Sequence, residues 1–567
     1  MSSLLELRVL EGPNLYFPRA AVKLTLDVGT LANASEDDVR RVGEGLGIRA
    51  IRAGAPSSGF RQRAISRLVI RLVRRIAAEA GTTRLGVRVR TTSRPEQIVV
   101  AYPWRDRNRA EALGNAVADA IDAMQAGDLS ELLEEGGRRV RSVLPGPGPT
   151  TIRPRVPVVA VTGTNGKTTT SRMIAHIARV AGHHVGWSNT DGIYVDGELV
   201  EAGDYSGPSG AGRVLAHREV DFAVTETARG GILLKGIGVS ANDVSVVTNV
   251  TADHLGQQGI DTVDQLAEVK AVVPRITRRS GWAVLNGDDP RVFAMRSVTP
   301  ARPWVFSRDP GSPAVRETLA AGGRATTVID GWVTVLEGSR ADPLVEVVDV
   351  PMTLSGLSRF NVENALAAAS AALAAGVARE HVAAGLRSFR PDAEHNPGRM
   401  NFFTYPLPGQ EGAVSVVMDL AHNEAGLEAM IEIMRGVRSP GHRILLGLGA
   451  VGDRQDDLLE MLGEIAARDA DVVAIGHKTK YLRGRTLEEV DRLLRTGAER
   501  VGGHDIDSYD TELASLQALL GQAEPGDVVG LMCHAERQAV YDWLADHGAS
   551  PDTPEELAEK VKSAARG

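Results

Sequence analysis

The stretch Val158-Val159-Ala160-Val161-Thr162-Gly163-Thr164-Asn165-Gly166-Lys167-Thr168-Thr169 decides the reading of this chain. Its apolar, β-favouring run predicts a strand, its two glycines a tight turn, and Lys-Thr-Thr the first residues of a helix. Such a turn points several backbone N–H groups at one anion. The helix N-terminus adds a positive partial charge, Lys167 supplies a full one, and a Thr168 or Thr169 hydroxyl can reach a magnesium ion. Gly163, Thr164, Asn165, Gly166, Lys167, Thr168 and Thr169 are therefore expected to hold nucleotide phosphates. The common eight-residue P-loop pattern would place glycine at position 161, where this chain has Val161. Gly-Lys-Thr clusters also arise by chance at strand-to-helix turns, but strand, turn and helix fall here in the required order.

With 567 residues, 43% of them hydrophobic and 24% charged, the chain is expected to fold into several soluble domains. Its one cysteine, Cys533, excludes both a disulfide framework and a cysteine-ligated zinc site within one chain, which favours a reducing cytoplasm. A strand-end cysteine with no supporting base is read as inert packing. Glu6 and Arg8 interrupt what would have to be the apolar core of a secretory signal, and the greasiest stretch, 365–378, is alanine-rich and too short to span a bilayer. No membrane segment is expected, and 365–378 reads as a tightly packed helix. The net charge of −8 hides an uneven distribution. Arg61, Arg63, Arg67, Arg71, Arg74, Arg75, Arg88 and Arg90 crowd the first part, where Lys23 is the only lysine. A solvated helix face explains them more simply than an anionic partner, and nucleic acid is an unfavoured one.

Three regions follow from the patterning, all α/β. In the first, strand-like runs at 22–26 and 97–101 accompany helical spacing at 64–80, where Ile65, Leu68, Val69, Leu72 and Ile76 recur, and at 106–126. Gly136-Gly137 and Leu144-Pro145-Gly146-Pro147-Gly148-Pro149 are then expected to form a linker that cannot continue a helix. In the second, strand-like runs at 158–162, 222–225, 244–248 and 282–285 alternate with helical segments, predicting a doubly wound, mostly parallel sheet covered on both faces. In the third, runs at 414–418, 444–448, 472–475 and 528–532 predict a second open, Rossmann-like α/β unit. The expected domains are 1–145, 146–394 and 395–567.

Ligands on such sheets sit beyond the carboxyl ends of the strands, and three polar residues fall there. Glu226 closes Val224-Thr225-Glu226-Thr227-Ala228-Arg229-Gly230-Gly231, His254 lies in Thr248-Asn249-Val250-Thr251-Ala252-Asp253-His254-Leu255-Gly256, and Lys270 in Leu266-Ala267-Glu268-Val269-Lys270. Taken singly, each has a plain structural explanation. Together with Gly-Thr-Asn-Gly-Lys-Thr-Thr they resemble the Mur ligase family, ATP-dependent enzymes that join a carboxylate to an amine. The resemblance implies that Glu226 and His254 hold magnesium with Thr168, and that Lys270 is carbamylated and joins them. It makes Lys167, Lys270, His254, Glu226 and Arg399 the catalytic set.

Further motifs follow in family order. Leu285-Asn286-Gly287-Asp288-Asp289 implies that Asn286 meets the adenine, and Phe360-Asn361-Val362-Glu363-Asn364 that Asn364 lies beside the nucleotide. Arg359-Phe360 stands where many members have Gly-His, so a histidine role is lost there. Pro397-Gly398-Arg399-Met400-Asn401 and Asp419-Leu420-Ala421-His422-Asn423 imply Arg399 on phosphate, Asp419 on ribose and His422 near substrate. Gly452-Asp453-Arg454 implies Asp453 near the incoming amine.

Within the family, Asn189-Thr190-Asp191-Gly192-Ile193-Tyr194-Val195, Gly203-Asp204-Tyr205-Ser206-Gly207-Pro208, Tyr481-Leu482-Arg483-Gly484-Arg485 and the opening Leu7-Arg8-Val9-Leu10-Glu11-Gly12-Pro13-Asn14-Leu15 resemble the cyanophycin synthetases. That likeness places the substrate carboxylate near Asp204, Ser206 and Arg229. Those relatives carry an ATP-grasp domain between the first and second regions, where this chain has only the proline-glycine linker. The expected function is one amide ligation through an acyl phosphate, using ATP and Mg²⁺, on an acidic amino acid, peptide or polymer. A separate ATP-grasp ligase is a possible partner, and a homo-oligomer is expected. The alternative is a catalytically reduced nucleotide- or polymer-binding partner of a separate ligase.

Overall fold

A computed structural model of the chain describes residues 3–124, 128–253, 255–452, 454–503 and 505–566. Three sheets lie along it in sequence order. The first is antiparallel, with Leu4–Leu10, Ala21–Asp27, Gln97–Pro103 and Arg88–Thr91 side by side. Its strands alternate, so Val22, Leu24, Leu26, Ile98, Val100 and Tyr102 face one core shared with the helices Gly59–Glu79, Arg107–Ala123 and Leu129–Ser142. Ile65, Leu68, Val69, Leu72 and Ile76 are buried as their spacing predicts, while Arg63, Arg67, Arg71 and Arg74 are exposed. Arg61 departs from that solvated face. It is buried, and its guanidinium donates to the carbonyls of Leu31, Ala34, Ala53 and Gly54 at 2.8–3.0 Å, replacing water with fixed acceptors.

One expectation is overturned here. Gly136-Gly137 does not belong to the linker; both lie inside the helix Leu129–Ser142, and only 144–150 runs without regular structure. Packing outweighs the low helix propensity of glycine. A Cβ on Gly137 would stand 2.2 Å from Glu79 Cβ and 2.9 Å from its carbonyl carbon, so the two helices can touch only where the side chain is missing.

The second sheet has eleven strands. Val158–Thr162 lies at its centre between Phe222–Glu226 and Asn242–Val247, all parallel. Thr277–Asn286, Arg302–Phe306 and Arg324–Ile329 extend the parallel set on one side and Val185–Ser188 on the other, and antiparallel hairpins close both edges. Helices Lys167–Val180 and Arg359–Ala374 cover one face, Val263–Lys270 and Val272–Arg275 the other. The alanine-rich stretch is the buried helix Arg359–Ala374, whose small side chains allow close approach to its neighbours. In the third sheet, Asp507–Tyr509, Val472–Gly476, Ile444–Leu448, Val528–Met532 and Ala413–Asp419 run parallel; at one edge Asn401–Pro406 pairs antiparallel with Ala413–Asp419, and Ser550–Pro551 pairs antiparallel with Asn401–Pro406. The fold class is α/β, as read from the sequence. Among the described residues no helix is long and apolar enough to cross a membrane.

A small polar cluster ties the second sheet to the third. Arg172, on the helix after the phosphate loop, is 4% exposed and donates to Asp191 Oδ2 at 2.6 Å and to Asn396 Oδ1 at 3.1 Å. Arg537, from the helix Arg537–Asp546, donates to Asp191 Oδ1 at 3.0 Å. Burial alone would raise the Asp191 pKa, but Arg172, Arg537 and Arg399 outweigh it and hold the carboxyl below the ordinary aspartate value of 3.8. A depressed carboxylate stabilises the pairing above that value and loses it as pH falls through the folded pKa, so the tie is intact at neutral pH.

Two outcomes follow. Gly137→Val should destabilise the N-terminal region by about 1–3 kcal/mol through overpacking, read as a lower first transition in thermal unfolding. Asp191→Asn should weaken the tie by about 2 kcal/mol and enlarge the radius of gyration measured by small-angle X-ray scattering; an unchanged scattering profile would show that other contacts hold the two sheets together.

Candidate active site

Because the central strand ends between two neighbours, everything beyond their carboxyl ends meets at the turn after Thr162. Gly163 and Gly166 have φ of +152° and +84°. A Cβ on Gly163 would lie 1.8 Å from Thr248 Oγ1, and one on Gly166 2.3 Å from Asn364 Oδ1, so both positions require glycine. The neighbouring strand end grips the loop. Thr164 N donates to Asn249 O at 2.9 Å, Asn165 N to Asn249 Oδ1 at 2.8 Å, Thr248 Oγ1 to Asn165 O at 2.6 Å and Thr251 N to Thr164 Oγ1 at 3.1 Å. Lys167 Nζ folds back to Thr164 O at 2.7 Å. From the third sheet, Asn423 Nδ2 donates to Asn165 Oδ1 at 3.0 Å.

Beneath the loop lies Glu226, 1% exposed. Its Oε2 accepts from Thr168 Oγ1 at 2.9 Å, while its Oε1 is buried with no partner among the described residues. Burial pushes this carboxyl above its ordinary range against the pull of Lys167, Thr168 and Arg399. Lys270 is 3% exposed and donates to Gly163 O at 2.5 Å. Burial, reinforced by the charge of Lys167, pushes it down to about 7, with Asp253 and Glu226 opposing. An orphaned carboxylate oxygen beside a threonine hydroxyl is a hard oxygen set that fits Mg²⁺. Lys270 fits it only as a carbamate, since an ammonium repels the ion. His254 lies outside the described residues, and among those described no three His, Cys, Asp or Glu side chains form a ligand cluster.

The cleft above the loop is lined by Thr164 to Thr169, Phe360, Asn361, Asn364, Arg399, Asp419 and His422. Asn364 Oδ1 accepts from Thr170 Oγ1 at 3.1 Å. Arg399 Nη2 is 3.5 Å from Thr168 Oγ1. Asp419 is pushed up to about 6 by burial, against Arg399, and accepts from Met400 N at 2.9 Å. His422 is lowered to about 4 by burial and is a neutral imidazole at pH 7, its Nδ1–H donating to Leu420 O at 3.1 Å. Asn286 does not line this cleft. Its buried carboxamide donates to Thr248 O at 2.7 Å and accepts from Asp288 N at 2.8 Å, which steadies the strand end that grips the loop.

On the other side of Glu226, exposed Asp204 accepts from Ser206 N at 3.0 Å and Ser206 Oγ at 2.6 Å, a local turn whose charge reaches Glu226. Arg229 begins the helix Arg229–Leu234, donates to Gln257 Oε1 at 3.3 Å, and its charge reaches Lys270. Asp453 lies outside the described residues. The residues flanking it are held from 481–485: Gly452 N donates to Tyr481 O at 2.9 Å, and Arg485 donates to Gly452 O at 2.9 Å and Arg454 O at 2.8 Å. Arg454 pairs with Asp253 across to the second sheet.

Sequence reasoning missed the roles of Thr248 and Thr251 as loop clamps and of Arg172 as a tie. Arg172 leaves one signal, a charge just before the largely apolar helical run Met173-Ile174-Ala175-His176-Ile177-Ala178. It also missed a buried network in the third sheet, where Glu512 accepts from the backbone N of His534, Ala535 and Glu536 at 2.7–2.9 Å and lies 3.4 Å from Lys478 Nζ. Cys533 belongs to that network and donates to Glu512 at 3.3 Å; burial raises its thiol pKa far above the usual range, which fits inert packing.

The profile of the Mur ligase middle domain matches residues 161–372, and that of the Mur ligase glutamate ligase domain matches 398–534. The chain is 39% identical over 389 residues to the cyanophycin synthetase of Crocosphaera subtropica, covering 68% of this chain and 43% of that one. It is 30% identical over 387 residues to the UDP-N-acetylmuramoyl-L-alanyl-D-glutamate--2,6-diaminopimelate ligase of Geobacillus kaustophilus, covering 66% of this chain and 73% of the relative. A solved pseudomurein peptide ligase type C from Methanothermus fervidus aligns with a TM-score of 0.49 at 18% identity, over 70% of this chain and 79% of that one. The chain spans less than half the length of the cyanophycin synthetases it matches. With both family profiles falling on the two sheets that meet at the phosphate loop, the chain belongs to the Mur ligase family.

Proposed function

We propose that this chain is an ATP-dependent ligase that joins a carboxylate to an amine as an amide, on an acidic amino acid, peptide or polymer. One observation carries the reading: the buried Glu226, with an orphaned oxygen, packed against Thr168 under a phosphate-binding turn. On this reading the working parts are 1–145, 146–394 and 395–567. A carboxylate oxygen attacks the γ-phosphorus of ATP, the bond to the bridging oxygen breaks, and ADP leaves. The amine nitrogen then attacks the acyl carbon of the acyl phosphate, phosphate departs with its electron pair, and the nitrogen gives up a proton. Thr168, Glu226, His254 and carbamylated Lys270 would hold Mg²⁺, which neutralises charge on the phosphates when bound.

The chain's own groups do the rest. The loop amides and Lys167 orient the triphosphate. Arg399, delivered from the third sheet, adds positive charge beside Thr168, and Asp419, on the cleft lining, would accept from the ribose hydroxyls. Closure around the cleft shields the acyl phosphate from water. Arg229, with Asp204 and Ser206, would orient the acid, since a guanidinium matches a carboxylate; His422 and the loop around Asp453 would meet the amine. Lys270, buried and lowered to about 7, holds a large neutral fraction near neutral pH. Its nitrogen lone pair can bond to the carbon of CO₂ while the displaced proton goes to water.

Two measurements test this. With carboxylate-¹⁸O substrate, ATP and amine, one ¹⁸O should appear in the released phosphate; unlabelled phosphate accompanying amide product would overturn the acyl-phosphate route. With ¹³C-bicarbonate, a carbamate resonance should be visible by NMR in the wild type and missing in Lys270→Arg, whose turnover should fall by roughly 100-fold or more. A Lys270→Arg protein with full activity and no change in spectrum would remove the carbamate from the mechanism. ATP binding without turnover on any acid and amine pair would favour a binding partner of a separate ligase.

A further inference from the structure

Four parallel strands of the third sheet, Val472–Gly476, Ile444–Leu448, Val528–Met532 and Ala413–Asp419, end side by side, so a ligand of that sheet belongs in the crevice beyond their carboxyl ends. The segments that leave them are 477–485, 449–454, 533–536 and 420–423. Among these lies the buried network that no step of the reaction has yet used. Lys478 and Glu512 are 2% and 1% exposed, and the side chain of His534 is 7% exposed. A charged pair taken out of water adds little net stability over apolar packing of the same volume. What this pair supplies is direction, because its contacts reach all four segments.

Lys478 Nζ donates to Gly449 O at 3.2 Å and to Nδ1 of His534, and lies 3.4 Å from Glu512 Oε1. An ammonium has three N–H groups, and three acceptors surround this one. Burial pushes the lysine down to about 8 against the pull of Glu512, so it is charged at neutral pH. A Cβ on Gly449 would stand 2.5 Å from Lys478 Cε, so the lysine passes over bare backbone to reach its acceptors. Glu512, in the first turn of the helix Glu512–Gln522, accepts from three successive backbone N–H groups of 533–536 and from the Cys533 thiol. Cys533 N in turn donates to Asp419 O at 2.8 Å, at the head of the run that carries His422. Lys478 O accepts from Tyr481 N at 2.8 Å, and Tyr481 O holds Gly452 N. The same network fixes the His534 ring. With Lys478 donating into Nδ1, that nitrogen is bare, and the neutral imidazole carries its proton on Nε2. Burial, reinforced by the charge of Lys478, holds the ring well below its ordinary range and therefore neutral. Nε2 is buried without a partner among the described residues, and the ring meets His422 edge to face, with centroids 6.3 Å apart at 85°.

We propose that Lys478, Glu512 and His534 are positioning residues for the amine step: they set the directions of the segments that receive the amine and hold His534 as an Nε2–H donor behind His422. This rests on the ligase reading, and it divides the labour of the two larger sheets. None of the three lines the cleft over the phosphate loop, so the acyl phosphate forms without them. With the network broken, the amine meets a loosened crevice and water competes for the acyl carbon. Water oxygen then bonds to that carbon, the bond to the phosphate oxygen breaks, a proton is released, and acid and phosphate leave without an amide.

Two variants of the full chain separate the half-reactions: Lys478→Met, and Lys478→Met with Glu512→Gln, which leaves no unpaired buried charge and so guards against simple unfolding. With Mg²⁺, ATP, triaspartate and the common amino acids pooled, the wild type should yield amide and phosphate in equal amounts. Both variants should lose about tenfold or more in amide per phosphate, while phosphate release that depends on triaspartate stays within about threefold. Lys560→Met, which removes the pair with Asp552 at the edge of the same sheet, should change neither quantity. Histidine ¹⁵N spectra should show His534 as Nε2–H in the wild type and as Nδ1–H, turned to Glu512, in Lys478→Met. A wild type that makes amide beside variants that keep its ratio of amide to phosphate overturns the proposal, as does a wild-type His534 protonated on Nδ1. A wild type that makes no amide sinks the ligase reading, and the amine step with it.

Discussion

The site is organised around a carboxylate that cannot satisfy itself. Glu226 is buried beneath the phosphate loop with one oxygen on Thr168 and the other without a partner among the described residues. An isolated folding unit would gain stability by replacing it, because an unpartnered buried polar atom costs about 1–3 kcal/mol. On the proposed reading, its place at the end of the strand beside Val158–Thr162 would make it complementary to a cation bound with the nucleotide. Thr168 and Lys270 converge on the same point, one from the helix after the loop and one from the far side of the sheet.

Cations dominate the surroundings. Lys167, Lys270, Arg172 and Arg399 all act on one another's ionisation or on that of shared partners. Protein carboxylates compensate only part of this charge, with Asp191 taken up by Arg172 and Arg537. A triphosphate would complete the balance, and the contacts from the third sheet, Arg399 to Thr168 and Asn423 to Asn165, show that sheet already seated against the loop. Arg399 alone does both, reaching across to Thr168 and lining the cleft between the sheets.

The N-terminal region repeats this economy. One half of its open face is spent on apolar docking, which fixes it to the second sheet; the other half keeps Arg8 and Lys23 half-buried around Glu6. The arginines that stand out in the sequence on the outer helix are exposed, while Arg61 serves as a cap for four carbonyls.

By itself the sequence determined the α/β class, four strands in each of the two larger sheets and the strand-turn-helix of the phosphate loop, because these rest on local signals: apolar runs, helical spacing, and glycines where φ must be positive. It also carried the family motifs that name Glu226, Lys270, Arg399 and Asp419. Tertiary structure alone decided the rest. Gly136-Gly137 became helix because another helix passes within contact of the missing side chain, a fact no local propensity holds. Asn286, placed by its motif on the adenine, proved to have its carboxamide engaged with Thr248 and Asp288, since strand neighbours decide what a buried amide meets. Asp191 and Arg537 are separated by 346 positions along the chain, and Arg172 joins them only where the second and third sheets meet. Ionic partners of that kind are set by how the sheets meet.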